Sequence, residues 1–205
     1  TLRYTLAGVT GTYQVELEVV GVDKDADPIP ETQPEDEEKV DSLEAVKLLA
    51  PIPRPAQDVI CLGVNYAAHA LECDFIGDFS APRETEPAIY FSKRVTEAVG
   101  PEGFIESHPG LVERLDYEAE LALIIGKTAR NVPAEQAAEY IFGYTVLNDV
   151  SARVLQTSHK QWYFGKSLDG FTPIGPCIVT ADEIPFPPKL KISASVNGEL
   201  RQDST

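Results

Sequence analysis

Six short apolar runs set the main constraint on this chain: DVICLGV at 58–64, AIYFS at 88–92, AELALIIG at 119–126, FGYTVLND at 142–149, GPCIVT at 175–180 and LKISASVNGE at 190–199. Each is too short for a core helix, most are rich in β-branched or aromatic residues, and turn formers bound them, so each reads as a strand. The Asn-Gly of the last run marks a tight turn leading into a further strand. Helical texture is sparse. PAEQAAEYI reads as about two turns with Pro133 at its first position, and SARVLQTSH reads as a short helix capped by Ser151. NYAAHALE also has helical spacing. Helices do not alternate with strands as a doubly wound sheet requires, so a strand-rich α+β fold is expected.

The N-terminal quarter has a different texture. Residues 1–22 carry two strand patterns broken by Gly8 and Gly11, which predicts a hairpin, and an acidic, proline-rich stretch follows with seven acids between Asp25 and Glu38. That stretch reads as an exposed linker. Ser42 is placed as the cap of a short helix, LEAVKLLA, ended by Pro51 and Pro53. The expected division is therefore a small N-terminal β region with its acidic linker, residues 1–52, and a catalytic domain over 53–205.

A net charge of -16 argues against nucleic acid and anionic membranes as partners, because both need clustered Lys and Arg. With no run approaching a membrane span and no signal-peptide pattern at TLRYTLAG, a cytoplasmic protein acting on a small molecule is expected. Cys61, Cys73 and Cys177 show no CxxC pairing and read as reduced thiols in buried packing. Methionine is absent, so a processed or trimmed start is expected, and the chain stops just after a strand and turn, so an incomplete C-terminus is expected.

Four constellations carry possible chemistry. Glu118 and Glu120 in LDYEAELALIIGK lie two apart, hence on one face of a strand, where their repulsion is relieved either by a hard divalent cation or by solvent at a sheet edge. Asp149 ends an apolar strand and is followed by Arg153 and Gln156, three apart on one helical face; a helix cap and a surface arginine are the bland alternative. His69 and Glu72, at i and i+3, allow the carboxylate to orient the imidazole, although such pairs also occur on ordinary surface helices. Lys166, between Gly165 and Ser167, is placed in a loop, where it either reaches an anion or faces water.

Taken in order, DVICLGVNYAAHALE, EPAIYFSKRVTEAVGP, LDYEAELALIIGK, GYTVLNDVSARVLQ, GKSLDGFTPIGPCIVT and VNGELRQ resemble the fumarylacetoacetate hydrolase family over roughly residues 53–205. The resemblance implies mixed sheets rolled around a metal, and a homodimer. It implies Glu118, Glu120 and Asp149 as ligands of Mg²⁺ or Mn²⁺, with Ca²⁺ an alternative. It implies His69 with Glu72 as a water-activating dyad and Lys166 as the contact to the reacting carbonyl or enolate. Arg153 and Gln156 match positions that hold substrate, while Val154 stands where relatives often have aspartate. The activity implied is hydrolytic C–C cleavage of a small dicarbonyl or α-keto acid of the acylpyruvate or fumarylpyruvate type, through an enolate. Isomerisation of a 2-hydroxyhepta-2,4-diene-1,7-dioate and decarboxylation of oxaloacetate share that enolate and stand as alternatives. An inactive metal-binding structural protein is the alternative of another class, and an acidic segment 23–41 that binds a basic partner is a third reading.

Overall fold

The computed structural model describes residues 2–8, 11–21, 45–66 and 88–205. His69, Glu72, Cys73, the acidic segment and Ser42 lie outside the described residues. The expected hairpin forms: β1 (Leu2–Gly8) and β2 (Gly11–Gly21) pair antiparallel. The strands that follow are β3 (Val59–Gly63), β4 (Ile89–Lys93), β5 (Phe104–Glu106), β6 (Leu115–Asp116), β7 (Ala119–Ile125), β8 (Ile141–Asn148) and β9 (Ser151–Ala152). Two short helices, α1 (Arg153–Ser158) and α2 (Tyr163–Lys166), precede β10 (Ile174–Thr180), β11 (Leu190–Val196) and β12 (Glu199–Ser204). All six apolar runs contribute a strand.

These strands form a five-stranded sheet in the order β12-β11-β2-β1-β5, a three-stranded sheet β10-β8-β7, and the pairs β3-β4 and β6-β9. The β1–β5 pairing is parallel and the other ladders are antiparallel, so the arrangement is mixed and strand-rich as expected. Asn197 and Gly198 join β11 to β12 with φ of 52° and 80°, the two-residue turn with positive φ at both positions that an Asn-Gly pair favours.

β8 positions the site. It runs between β7 and β10 and is buried from Gly143 to its end, which explains a near-continuous apolar run rather than an alternating one. A Cβ on Gly143 would collide with the Val179 carbonyl, so glycine permits the close approach of β10. Val146 joins Ile105, Ala119, Val150, Phe171 and Ile192 in the main core cluster, while Leu147 packs with Ala50, Ala98 and Ile174 in a second. Asn148 and Asp149 thus end β8 inside the protein, at 0% and 3% exposure.

Several local expectations require correction. Ser151 does not cap a helix: it pairs with Asp116 in β9 and donates its hydroxyl to the Asp149 carbonyl at 2.9 Å, and α1 starts after Ala152 with no side-chain cap. Residues 134–140 form a 3₁₀ segment rather than an α-helix, with no side-chain cap at Pro133 and no buried residue, so neither end nor face favours the wider helix. In LEAVKLLA, residues 47–50 have no regular structure; Ala50 precedes Pro51, which disfavours helical backbone, and packs against the second core cluster instead. Lys166 ends a helix rather than sitting in a loop. Cys177 is exposed and Cys61 only partly buried, because their strands β10 and β3 each present one face outward.

Candidate active site

Two adjacent strands, β7 and β8, deliver the acids. Glu118 immediately precedes β7, Glu120 lies within it, and Asp149 follows β8, the partner strand in register Ala119↔Asn148. The junction is pinned by backbone: Asp149 N donates to the Glu118 carbonyl at 2.8 Å and Glu118 N donates to the Asn148 side-chain oxygen at 3.0 Å. Asp149 and the two glutamates are therefore held near one another by the β7–β8 ladder itself, whatever occupies the space between them.

Three cations answer these acids. Lys166 Nζ, 2% exposed, lies 2.7 Å from Glu118 Oε2 and 2.8 Å from Asp149 Oδ2. Lys93 Nζ at the end of β4, with no exposed surface, lies 2.5 Å from Asp149 Oδ1 and donates to the Val150 carbonyl at 3.1 Å. Arg153 at the start of α1 reaches Glu118 Oε1 at 2.6 Å, Asp116 Oδ2 at 2.9 Å and the Gln156 amide oxygen at 3.0 Å. Burial opposes the charge on Asp149, yet Lys93 and Lys166 hold its carboxyl below the ordinary range. Burial likewise opposes Lys166, and Asp149 with Glu118 raises it. Lys93 is pulled down by burial against the pull of Asp149.

Glu120 is left over. Burial, then the charges of Glu118 and Asp149, push its carboxyl up to about 8, with Lys166 and a hydrogen bond from Tyr66 opposing. Among the described residues, Glu120 thus lacks the paired cations that Glu118 and Asp149 have.

The cluster opens on a cleft of about 1430 Å³ lined also by Cys61, Tyr66, Phe91 and Trp162. Phe91 and Trp162 meet edge to face with centroids 5.3 Å apart, and a Cβ on Gly63 would lie 2.7 Å from the Trp162 ring. This contact fixes the start of α2 against β3 and β4 and so aims Lys166 at the acids. Val64, which follows β3, has φ of 50°, an uncommon conformation for a β-branched residue. Two residues on, the Tyr66 hydroxyl accepts a bond from Leu121 N at 3.3 Å.

The family model "Fumarylacetoacetate (FAA) hydrolase C-terminal" matches residues 58–205. The chain belongs to the fumarylacetoacetate hydrolase family. It is 43% identical over 164 residues to the oxaloacetate tautomerase YisK of Bacillus subtilis, a match covering 80% of this chain and 53% of that protein, so the chain spans about half the length of this curated relative. Among solved structures it is similar to a fumarylacetoacetate hydrolase from Exiguobacterium antarcticum (TM-score 0.64, 46% identity, 76% of this chain and 53% of that one). It is also similar to a 5-carboxymethyl-2-hydroxymuconate delta-isomerase from Mycobacterium smegmatis (0.68, 36%, 100% and 74%). A third is a fumarylpyruvate hydrolase from Pseudomonas aeruginosa in complex with Mn²⁺ and pyruvate (0.61, 34%, 80% and 73%). Hydrolases, an isomerase and a tautomerase thus stand among the relatives.

A divalent cation fits the donor set in this member of the fumarylacetoacetate hydrolase family, with one adjustment. The hard oxygens of Glu118, Glu120 and Asp149 suit Mg²⁺ or Mn²⁺, and a cation beside Glu120 would oppose the burial and the neighbouring acids that raise its carboxyl. The adjustment concerns Lys166, whose ammonium lies between Glu118 and Asp149; among the described residues no three His, Cys, Asp or Glu side chains converge as a ready ligand group.

Of the residues singled out in the sequence, Glu118, Glu120, Asp149, Lys166, Arg153 and Gln156 gather around this cleft. The remaining described histidines serve locally: His108 Nε2 contacts the Asp169 carbonyl at 2.8 Å, and His159 Nδ1 the Leu155 carbonyl at 3.0 Å. Sequence reasoning missed Lys93, Asp116 as a partner of Arg153, and Tyr66. The family match includes all three within residues 58–205, and the position of Lys93 at the end of the run AIYFS was the available signal.

Proposed function

We propose that the protein is a divalent-metal-dependent enzyme that carries a small dicarbonyl or α-keto acid through an enolate, with hydrolytic C–C cleavage of an acylpyruvate or fumarylpyruvate as its reaction. The observation that carries this reading is the convergence of Glu118, Asp149, Lys166 and Arg153 at one cleft, with buried charges of both signs. A cation held by Glu118, Glu120 and Asp149 would supply Lewis-acid polarisation of the substrate carbonyl.

This chain's own groups supply the rest. Arg153, braced by Asp116 and Gln156, offers a guanidinium to the substrate carboxylate. His69, oriented by Glu72, takes a proton from water, and the hydroxide adds to the distal carbonyl carbon. The bond from that carbon to its neighbour breaks, its electron pair becomes that of the departing enolate, and His69 returns the proton it took from water to the enolate carbon, giving the keto product. Lys166 stabilises the negative charge as it develops on the enolate oxygen.

Keto–enol tautomerisation is a second reading, favoured by the 43% identity to a protein named as an oxaloacetate tautomerase. It needs the enolate-stabilising groups but no attacking water. A panel of fumarylpyruvate, acylpyruvates, oxaloacetate and a hydroxy-diene dioate, assayed with Mg²⁺, Mn²⁺ or chelator, separates the readings. Cleavage lost in His69→Ala supports hydrolysis; interconversion without cleavage, unaffected by that change, supports tautomerisation. No turnover of any member with either metal would contradict both and leave a structural metal protein.

A further inference from the structure

Asp149 carries a different lysine on each oxygen, and the two lysines are not equivalent. Lys93 on Oδ1 has no exposed surface, and its ammonium has a second bond to the Val150 carbonyl. Lys166 on Oδ2 lines the cleft, and its ammonium is 5.2 Å from the centroid of the Phe91 ring, which lines the same cleft. The backbone that carries Lys166 is tightly seated: a Cβ on the preceding Gly165 would lie 2.5 Å from Gln156 N. Movement of this ammonium is therefore left to its own side-chain torsions, whereas Lys93 is enclosed on every side.

We propose that the two lysines divide Asp149 between them. Lys93 is a positioning residue that keeps Oδ1 and leaves Asp149 a single oxygen for a cation. Lys166 is an exchangeable counterion that holds the place between Glu118 and Asp149 until a divalent cation enters, then swings away from the two acids into the cleft. The inference rests on the metal-site reading above and deepens it. Its consequence for specificity follows from coordination: Mg²⁺ takes six ligands in tight octahedral geometry, while Ca²⁺ takes six to eight and accepts both oxygens of a carboxylate. By occupying Oδ1, Lys93 selects against Ca²⁺. Its consequence for Lys166 is that the ammonium reaches the substrate side of the cleft only when the cation is in place, and the Phe91 ring, already 5.2 Å from it, lies along that side.

Reductive methylation of the intact wild-type protein, read by peptide mass spectrometry, follows both amines. Without divalent cation, Lys93 and Lys166 are expected to label at least tenfold more slowly than the exposed Lys127. With saturating Mn²⁺, Lys166 is expected to label at least tenfold faster than before and Lys93 to stay protected. Binding of Mn²⁺ with Lys166 still protected, or with Lys93 becoming reactive, would overturn the division of roles. In Lys93→Met, calorimetric titrations should show the ratio of Ca²⁺ to Mg²⁺ dissociation constants falling at least tenfold. Loss of one positive charge acts alike on two divalent ions, so an unchanged ratio would overturn the role given to Lys93. If Lys93→Met does not fold, the wild-type labelling pattern decides alone. Absence of any Mn²⁺ binding to wild type would overturn the metal reading and this inference with it, whereas binding with an unchanged labelling pattern overturns this inference only.

Discussion

At Glu118 one carboxylate meets two cations, Arg153 on Oε1 and Lys166 on Oε2, while Glu120 two residues away has only Tyr66 and the distant pull of Lys166. The difference lies in what faces each residue from α1 and α2, which a strand pattern does not record. The spacing of Glu118 and Glu120 was legible because strand geometry puts positions two apart on one face. Lys93 was not, since lysine is almost never fully buried unless paired, and its partner Asp149 lies 56 residues away. Replacing Lys166 by Ala should cost about 3 to 4 kcal/mol of barrier, the usual effect of losing a charge stabiliser, seen as a fall in kcat of roughly 10² to 10³; a steady-state assay near wild-type rate would remove Lys166 from the chemistry. The Cys61 thiol offers a test of the cleft wall. Burial first, and Asp149 next, push it up to about 12, so at pH 8 almost no thiolate is present to react. In metal-free protein, iodoacetamide at that pH should label exposed Cys177 at least tenfold faster than Cys61, and equal rates would mean that the β3–β4 wall opens.

Among elements, the long apolar strands could be read directly because β8 is buried from Gly143 to its end and β7, β10 and β11 each turn part of their length inward. The two-residue strands β6 and β9 could not: they exist by pairing with each other, Leu115 with Ala152 and Asp116 with Ser151. This pairing carries Asp116 to Arg153 and takes Ser151 away from its expected cap. The four-residue α2 is equally invisible in sequence, being far below the length at which helices hold themselves in water. It is held by packing, with Trp162 against Phe91 and Gly165 against Gln156. Gly165→Ala should therefore destabilise the fold by about 1 to 3 kcal/mol through overpacking and also displace Lys166. Thermal unfolding and kcat should fall together; a variant with normal stability and rate would show that α2 can shift freely.

At the scale of the molecule, elements distant in sequence bring acids and cations to one cleft: β4 supplies Lys93, β7 and the residue before it the glutamates, the residue after β8 Asp149, and the short helices Arg153, Gln156 and Lys166. The fold class was legible from the count and spacing of apolar runs, while the pairing of β2 with β11 was not, because nothing local specifies a partner some 170 residues away. A cation that binds only the folded state should stabilise the protein by about 2.7 kcal/mol at a hundredfold excess over Kd. Melting with chelator against Mn²⁺ checks this, and identical curves would count against it.

The claim on which the account turns is that Glu118, Glu120 and Asp149 hold one divalent cation. Calorimetric titration of Mn²⁺ into the wild type and into Glu118→Gln, Glu120→Gln and Asp149→Asn tests it most directly. The wild type should bind one Mn²⁺ per chain, and each variant should bind at least about tenfold more weakly, as expected when a metal-site group is removed. Binding of wild-type strength in all three variants, or no binding in the wild type, would contradict it.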